Sequence, residues 1–492
     1  MTDPSLTLFW QTLELSEPDT PLYRQLYDAV REAVLSGTLT SGTRIPATRT
    51  LASHLNVSRN TVLEAFEQLF AEGYLETQQG KGTFVAEGIA VLSENVTRKV
   101  AMTLEPPKLS TRGTLLAQSS LARSQDHVRP LAFQAGLPAL SHFPWKLWTR
   151  LTAQAAQHLA ADPQRMGYVH SAGLPELRAA LADYLRASRG VNCTANNVLI
   201  VSGTQHAIDL TVRLLVDPGE AVWLENPGYS SGHAVVTAFG AKVVPVPVDA
   251  DGLAFEHAPE PGTLAYVTPS HQYPLGMTMS LRRRLALLEH AKTHDMWLFE
   301  DDYDSEFRYA GKPLAALQSL DSHQRVIYAG TLSKVLFPGL RLGYVVVPPA
   351  LMAAFAAARA LVDRTPPVLS QLTLALFIQE GHFARHIRRM RALYQKRRQV
   401  LLEQTQQIGV LEHLPSDTGL QFSVRLPDGW DDAAVSEALL AAGIEARPLS
   451  SYAHTPLAFA GLNLGYGAVA ETVIAEQSQT MREVLEHYPT SR

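Results

Sequence analysis

Seven short β-rich runs alternate with helical patterns through the middle of this chain, and nothing else constrains its fold so tightly. The runs are Val198-Leu-Ile-Val, Ala221-Val-Trp-Leu, Lys242-Val-Val-Pro-Val, Leu264-Ala-Tyr-Val, Met296-Trp-Leu-Phe, Arg325-Val-Ile-Tyr and Leu342-Gly-Tyr-Val-Val-Val347. Such alternation is the signature of a mostly parallel sheet covered by helices on both faces. At 492 residues the chain exceeds one ordinary core, and a prior of about 150 residues per domain suggests about three. With 46% hydrophobic and 18% charged residues, the composition is that of a soluble globular protein, not a disordered or membrane one. A net charge of −5 argues against a wholly basic surface but permits a local basic face. The lone Cys193 cannot form an internal disulfide, reads as a small core residue, and fits a reducing cytoplasm. Met1 to Thr20 carries Asp3, Glu14, Glu17 and Asp19 without Lys or Arg, which is no signal peptide. The longest apolar stretch, near Ala350–Ala358, stops at Arg359, so no membrane span is expected and the cytoplasm is the expected location.

The first ninety residues carry a different pattern. Tyr23, Leu26, Tyr27, Val30 and Val34 recur at helical spacing over Pro21–Ser36, and Gly37 and Gly42 end the period. A second helix is expected over Thr48–Leu55. A third, N-capped by Ser58 and closed by Gly73, places Val62, Phe66 and Leu69 on one face. Tyr74-Leu-Glu-Thr and Thr83-Phe-Val flank the glycine-rich Gln78–Gly82 and read as a two-stranded ribbon. Together these predict an N-terminal winged helix-turn-helix over 1–86. From 87 to 130 no period persists and Pro106-Pro107 interrupts the chain, so a linker is expected. Its Arg98, Lys99, Lys108, Arg112, Arg123 and Arg129 outnumber its acids, which suits either a solvated tether or one that touches phosphates. Residues 131–492 form the body, with a large lobe over about 145–350 and a smaller α+β lobe over about 366–492 that includes Gly419-Leu-Gln-Phe-Ser-Val424.

The chemistry concentrates in Tyr328-Ala-Gly-Thr-Leu-Ser-Lys-Val-Leu-Phe-Pro-Gly-Leu-Arg-Leu-Gly-Tyr344 and in Glu300-Asp-Asp-Tyr-Asp-Ser-Glu-Phe307. Lys334 places an amine at a carbonyl, while Thr331, Ser333 and Arg341 can hold a phosphate. Asp301 ends a strand, where sites in open α/β sheets cluster, and its carboxylate suits a protonated pyridine nitrogen. Tyr303, two residues on, suits the phenolic oxygen of the same ring. Asp302 and Asp304 read as solvated loop carboxylates. Ser202-Gly203-Thr204-Gln205 follows a strand and opens a helix, offering either a phosphate site or only a tight turn. Tyr229 in Asn226-Pro-Gly-Tyr229 either covers a flat heterocycle or is a core aromatic. An amine, a ring acid and a phosphate cup are what pyridoxal 5'-phosphate requires, with Lys334 as its Schiff-base lysine.

The order and spacing of these motifs, with Thr268-Pro-Ser-His-Gln-Tyr-Pro-Leu-Gly276 between them, resemble fold-type I aminotransferases over roughly residues 130–485. That resemblance implies a pyridoxal-phosphate-dependent transferase fold and a homodimer completing its sites across the interface. Two departures stand out. Gly461-Leu-Asn-Leu-Gly-Tyr-Gly467 has Asn463 where such enzymes usually place an Arg for the substrate carboxylate, and Tyr273 replaces the usual Asn before Pro274. Arg447 is the candidate substitute for effector binding, or a surface residue. Pro46-Ala-Thr-Arg-Thr-Leu-Ala52 with Val57-Ser-Arg-Asn-Thr-Val62 resembles GntR-type heads. That implies Ser58, Arg59 and Thr61 at base edges, with Arg49, Lys81 and Gly82 near the backbone of double-stranded DNA. A GntR-type head on an aminotransferase-like body resembles the MocR subfamily of regulators. This implies a transcriptional regulator that senses a small amine, an amino acid or the cofactor. The alternative is a working aminotransferase with an appended DNA-binding head.

Overall fold

In the computed structural model, which describes residues 9–18, 20–87, 108–117, 130–167, 171–311, 314–364 and 366–488, the chain divides into two units, Met1–Lys108 and Leu109–Arg492. In the first unit, α1 (Leu22–Leu35) buries Leu26, Tyr27, Val30, Ala33 and Val34, the face its spacing predicts. A two-residue strand, β1 (Arg44–Ile45), precedes α2 (Thr48–His54) and α3 (Arg59–Ala71). Ser58 caps α3: its Oγ accepts the Thr61 N–H at 3.1 Å, which satisfies one of the orphan donors of the first turn. The hairpin β2 (Leu75–Gln78) and β3 (Gly82–Val85) is antiparallel, and β1 joins it on the β3 side, with Arg44 opposite Phe84. Leu26, Val30, Val62, Ala65, Leu69 and Val85 are fully buried between helices and ribbon. This is the expected winged helix-turn-helix.

The second unit opens with α4 (Thr111–Ala117), followed by α5 (Trp145–Ala161) and α6 (Pro175–Arg189). Then come β4 (Val198–Val201), α7 (Thr204–Leu215), β5 (Ala221–Asn226), α8 (Ser230–Phe239), β6 (Lys242–Asp249) and β7 (Gly252–Leu253). β8 (Leu264–Val267), α9 (Leu281–Thr293), β9 (Trp297–Asp302), β10 (Val326–Thr331) and β11 (Gly343–Val346) complete the large sheet. Its order is β4-β11-β10-β9-β8-β5-β6-β7. The pairs β10–β9, β9–β8, β8–β5 and β5–β6 are parallel, whereas β11 runs antiparallel to both neighbours and β7 to β6. All of β4, β8, β10 and β11 is buried, as expected where both faces are covered. Successive residues of β4 serve opposite faces: Leu199 and Val201 pack with Ile208, Val212, Val236 and Phe355, while Val198 and Ile200 pack with Leu151, Leu177 and Leu181.

After the sheet come α10 (Met352–Val362), α11 (Val368–Gln379) and α12 (His382–Gln406). The smaller lobe contributes β12 (Glu412–His413), β13 (Gln421–Arg425), α13 (Asp432–Ala441), β14 (Arg447–Pro448), β15 (Gly461–Gly465) and α14 (Glu471–Glu486). Its four strands form an antiparallel sheet in the order β12-β13-β15-β14. Residues 132–133 lie along this lobe, the Ala132 carbonyl accepting from Glu445 N–H and the Phe133 carbonyl from Gly465 N–H. Two expectations change. Helix α11, placed by the sequence in the smaller lobe, packs on α5 and α6 of the large one. The linker reading falls mostly outside the described residues, but within it Thr111–Ala117 is a helix, too short for a period to register, and it packs on α8.

Candidate cofactor pocket and nucleic-acid interface

A cavity of about 270 Å³ opens at the carboxyl ends of β5, β8, β9 and β10. Each wall follows from an element boundary. Gly203 and Thr204 begin α7, so backbone N–H groups and the helix dipole face the cavity, with Gln205 beside them. Tyr229 ends the turn after β5, and its ring lies stacked with Tyr266 at 6.2 Å between centroids. Thr331, Ser333 and Lys334 leave β10, and Arg341, at φ 51°, closes the turn before β11. Among the described residues the Arg341 guanidinium has no ion-pair partner, as suits a side chain kept for an anion that arrives from outside.

Lys334 Nζ donates to the Gly136 carbonyl at 2.8 Å. Gly136 has φ +73°, the left-handed region that favours glycine, and a Cβ there would stand 2.8 Å from Nζ, so a larger residue would push the amine aside. Burial pushes the Lys334 ammonium down from its ordinary pKa, opposed by the Asp304 and Asp301 carboxylates. Asp301 accepts from the Tyr266 hydroxyl at 2.5 Å and from Thr204 Oγ1 at 3.5 Å. Desolvation pushes its carboxyl up to about 7, the Tyr266 hydrogen bond opposing, and a cation placed against it would restore the ionised form.

Asp302 and Asp304 correct the solvated-loop expectation, for both are buried. Alternation along β9 turns Asp302 to the face opposite Asp301. There it accepts from Arg189 Nε at 2.8 Å and the Tyr328 hydroxyl at 2.6 Å. Glu300, on that same face, accepts the Leu317 and Gln318 N–H groups at 2.8 Å each. Asp304 lies 2.9 Å from His271 Nδ1, and the Tyr303 hydroxyl is 2.9 Å from that same nitrogen. Tyr303 thus reaches the cavity already oriented by an imidazole. Gly419, at φ +88°, makes room for the pair: a Cβ there would lie 2.2 Å from His271 Cε1.

Two candidates lie outside the cavity lining, Ser202 and Arg447. Ser202 does not line the cavity; its hydroxyl turns to Asp363 Oδ2 at 3.3 Å, because the chain reverses at Gly203 and only the next residue faces inward. Arg447 also lies outside the lining. Its side chain is 51% exposed, sits 3.5 Å from Glu445 and interacts with the Tyr452 hydroxyl. Tyr452 in turn meets Tyr273, whose ring does line the cavity. Asn463 pairs with Arg447 in register across β14 and β15, and its Nδ2 donates to the Pro274 carbonyl at 3.2 Å. The sequence reading missed Tyr266, Thr268 and the cavity role of Tyr273. Tyr266 sits within a wholly buried strand, where an aromatic reads as core; its signal was the hydroxyl, which needs a partner when buried.

In the first unit, Arg49, Arg59, Lys81 and Gly82 are all exposed, and among the described residues no salt bridge engages the three basic side chains. Ser58 and Thr61 are occupied with each other, their hydroxyls 2.8 Å apart at the start of α3. The acids of the head are partly engaged internally, Glu72 accepting from the Tyr27 hydroxyl at 2.5 Å. The head therefore presents free cations at the first turn of its third helix, at α2 and at the ribbon tip, the surface a winged helix-turn-helix turns to a duplex.

Comparison with known proteins agrees with both halves. Residues 22–85 match the bacterial regulatory proteins of the gntR family, and residues 146–483 match the aminotransferase class I and II family. The probable rhizopine catabolism regulatory protein MocR of Rhizobium meliloti is 40% identical over 479 residues, covering 95% of this chain and 94% of that protein. The pyridoxine biosynthesis transcriptional regulator PdxR of Corynebacterium glutamicum is 30% identical over 457 residues, covering 92% and 94%. The solved structure of Pyrococcus horikoshii kynurenine aminotransferase superposes with a TM-score of 0.68 at 26% identity, covering 81% of this chain and 99% of that one. The gntR head, the aminotransferase body and full-length likeness to MocR together place this chain in the MocR family of transcriptional regulators.

Proposed function

We propose that this regulator holds pyridoxal 5'-phosphate in the body cavity and that binding of a small amine, an amino acid or the cofactor itself controls its grip on double-stranded DNA. The observation that carries the reading is the convergence of Lys334, Asp301 and the unpaired Arg341 on one cavity. The residues fit the group. Arg341, Thr331, Ser333 and the N-terminus of α7 would hold the phosphate, Tyr229 would cover the ring, Asp301 would hold a proton on its nitrogen, and Tyr303 would face its oxygen. When bound, pyridoxal phosphate supplies an aldehyde for primary amines and an electron sink. Lys334, buried and with its ammonium pushed down, delivers an uncharged amine more readily than a solvated lysine does. An effector alters DNA binding only through its different affinity for two arrangements of the chain.

The same three residues are those a working aminotransferase needs, which keeps that second reading in view. The buried Asn463 in place of a carboxylate-gripping Arg favours the regulator. Homodimerisation is supported by exposed apolar side chains on the body, including Leu361 at 89% and Trp145 at 50%. The deciding experiment titrates amines and amino acids into the cofactor-loaded protein while recording the visible spectrum and operator binding together. Spectral change with altered DNA affinity and no multiple turnover with a keto acid supports regulation. Sustained turnover with unaltered DNA affinity favours the enzyme.

A further inference from the structure

A second cavity of about 360 Å³ lies between α4 and the body, sharing only Gln205 and Arg341 with the lining of the cofactor cavity. Its apolar side is formed by Leu116 of α4 and by Val235, Ala238 and Phe239 of α8. Its polar side is cationic. Arg213 and Asp209 neutralise each other at 2.7 Å, which leaves Arg112 and Arg341 without a carboxylate partner among the described residues. Arg112 rests over the Phe239 ring at 5.5 Å, the guanidinium held at the mouth of the groove.

His206 adds a donor. Its side chain is only 10% exposed, and its Nδ1 accepts the Ser202 N–H at 3.4 Å, which leaves the proton on Nε2. That Nε2 is buried with no hydrogen-bond partner, in a residue that lines this groove. That nitrogen is closed to solvent, so the anion of a ligand in the groove is met by the guanidiniums of Arg112 and Arg341, with the imidazole behind them.

We propose that this groove is a second small-molecule site, taking an anion (a carboxylate or a phosphate) on a compact apolar body, and that its occupancy holds α4 against the body. The volume suits a ligand of that size, and one wall belongs to the segment that joins head to body. A ligand touching both walls binds the docked arrangement of α4 better than the undocked one, and shifts the equilibrium by that difference alone. Arg341 lines both cavities, so the two sites share one guanidinium. That link to the cofactor rests on the function proposed above; the groove itself does not.

The test uses the full-length chain, saturated with pyridoxal phosphate and separately without it. Phenyl phosphate and benzoate are titrated by calorimetry, and trypsin cleavage at Arg112–Gly113 is timed with each probe. One probe per chain is expected to bind in both preparations and to slow that cleavage. Whichever probe binds tighter identifies the anion. Arg112→Ala, at an exposed position, and Ala238→Trp, which fills the groove, are each expected to weaken binding by about tenfold or more. Cofactor content is expected to stay unchanged. Binding by neither probe, equal affinity in both variants, or binding abolished by saturating cofactor would each overturn the site. Failure of pyridoxal phosphate to bind would overturn the proposed function instead, and the cofactor-free titration would still decide the groove.

Discussion

Burial acts on Lys334 and Asp301 in opposite senses, and the pocket uses both. It drives the lysine toward the neutral amine and the aspartate toward the neutral acid, so each is poised to exchange a proton with whatever enters. Lys334→Ala is expected to remove covalent attachment of the cofactor while Thr331, Ser333 and Arg341 still bind its phosphate. Desalting the loaded variant and reading the visible spectrum checks this; a retained band of covalently held cofactor would place the reactive amine elsewhere. Asp301→Asn preserves shape but removes the charge that, in the proposed function, would face the ring nitrogen. It is expected to weaken cofactor binding by about 1.5–3 kcal/mol, the range for a hydrogen bond to a charged group, measured by titration of the cofactor-free protein. Lys334, Asp301 and Arg341 were legible in the sequence because each sits in a short motif, Ser-x-Lys, Asp-x-Tyr and the Arg seven residues past the lysine, whose order resembles fold-type I aminotransferases. Tyr266 and His271 were not, because their partners Asp301 and Asp304 lie 35 and 33 residues away and nothing local marks the pairing. For the same reason Asp302 read as solvated: its partner Arg189 is 113 residues distant.

Helices α1 and α3 were read at nearly their true bounds, and all seven longer sheet strands were located, although β6, β9 and β10 each run three residues beyond the apolar run that marked them. The two-residue strands β1, β7, β12 and β14 carry no period and are defined only by what they pair with. Helix α11 was recognisable as a helix but not as a large-lobe one, since a uniformly apolar sequence does not say which core it joins. The recognition helix α3 supports two separable predictions. Ser58 spends its hydroxyl on Thr61, so Ser58→Ala is expected to lower the stability of the head by about 1 kcal/mol, read in the thermal unfolding of residues 1–86. Arg59, exposed and without an ion-pair partner among the described residues, is expected to read a base. Arg59→Ala should weaken operator binding by about 1–3 kcal/mol and random-sequence binding by less. Equal losses on both duplexes would make it a phosphate contact.

At the scale of the whole molecule, the body carries an unusual load of buried acids. Desolvation pushes Glu225, Glu300, Asp301 and Glu306 each up to about 7. Between their unfolded values near 4 and about 7, the folded chain holds protons that the unfolded chain has released, so their contribution to stability falls as pH rises through that window. Burial holds His386 and His454 down to about 4 and works in the opposite sense below about pH 6.5, so the difference between chains is the readout: from pH 5 to pH 8 Glu300→Gln is expected to lose less thermal stability, or gain more, than the unsubstituted cofactor-free protein, and an unchanged profile would contradict the assignment. The last prediction concerns assembly. If two bodies pair as the exposed apolar residues suggest, two heads share one particle, and the length of chain between the head and α4 sets how far each can reach. Once one head has bound a half-site, tethering raises the effective concentration of the other. The full chain is therefore expected to bind a two-site operator about a hundredfold or more tighter than an isolated head, residues 1–86. Moving the half-sites apart beyond the reach of the tether should erase most of that advantage, a loss that a single strong head would not show. Equal affinity of head and full chain, or a cofactor-loaded chain that sediments as a monomer, would remove the tethered-dimer account and leave each head to find its site alone.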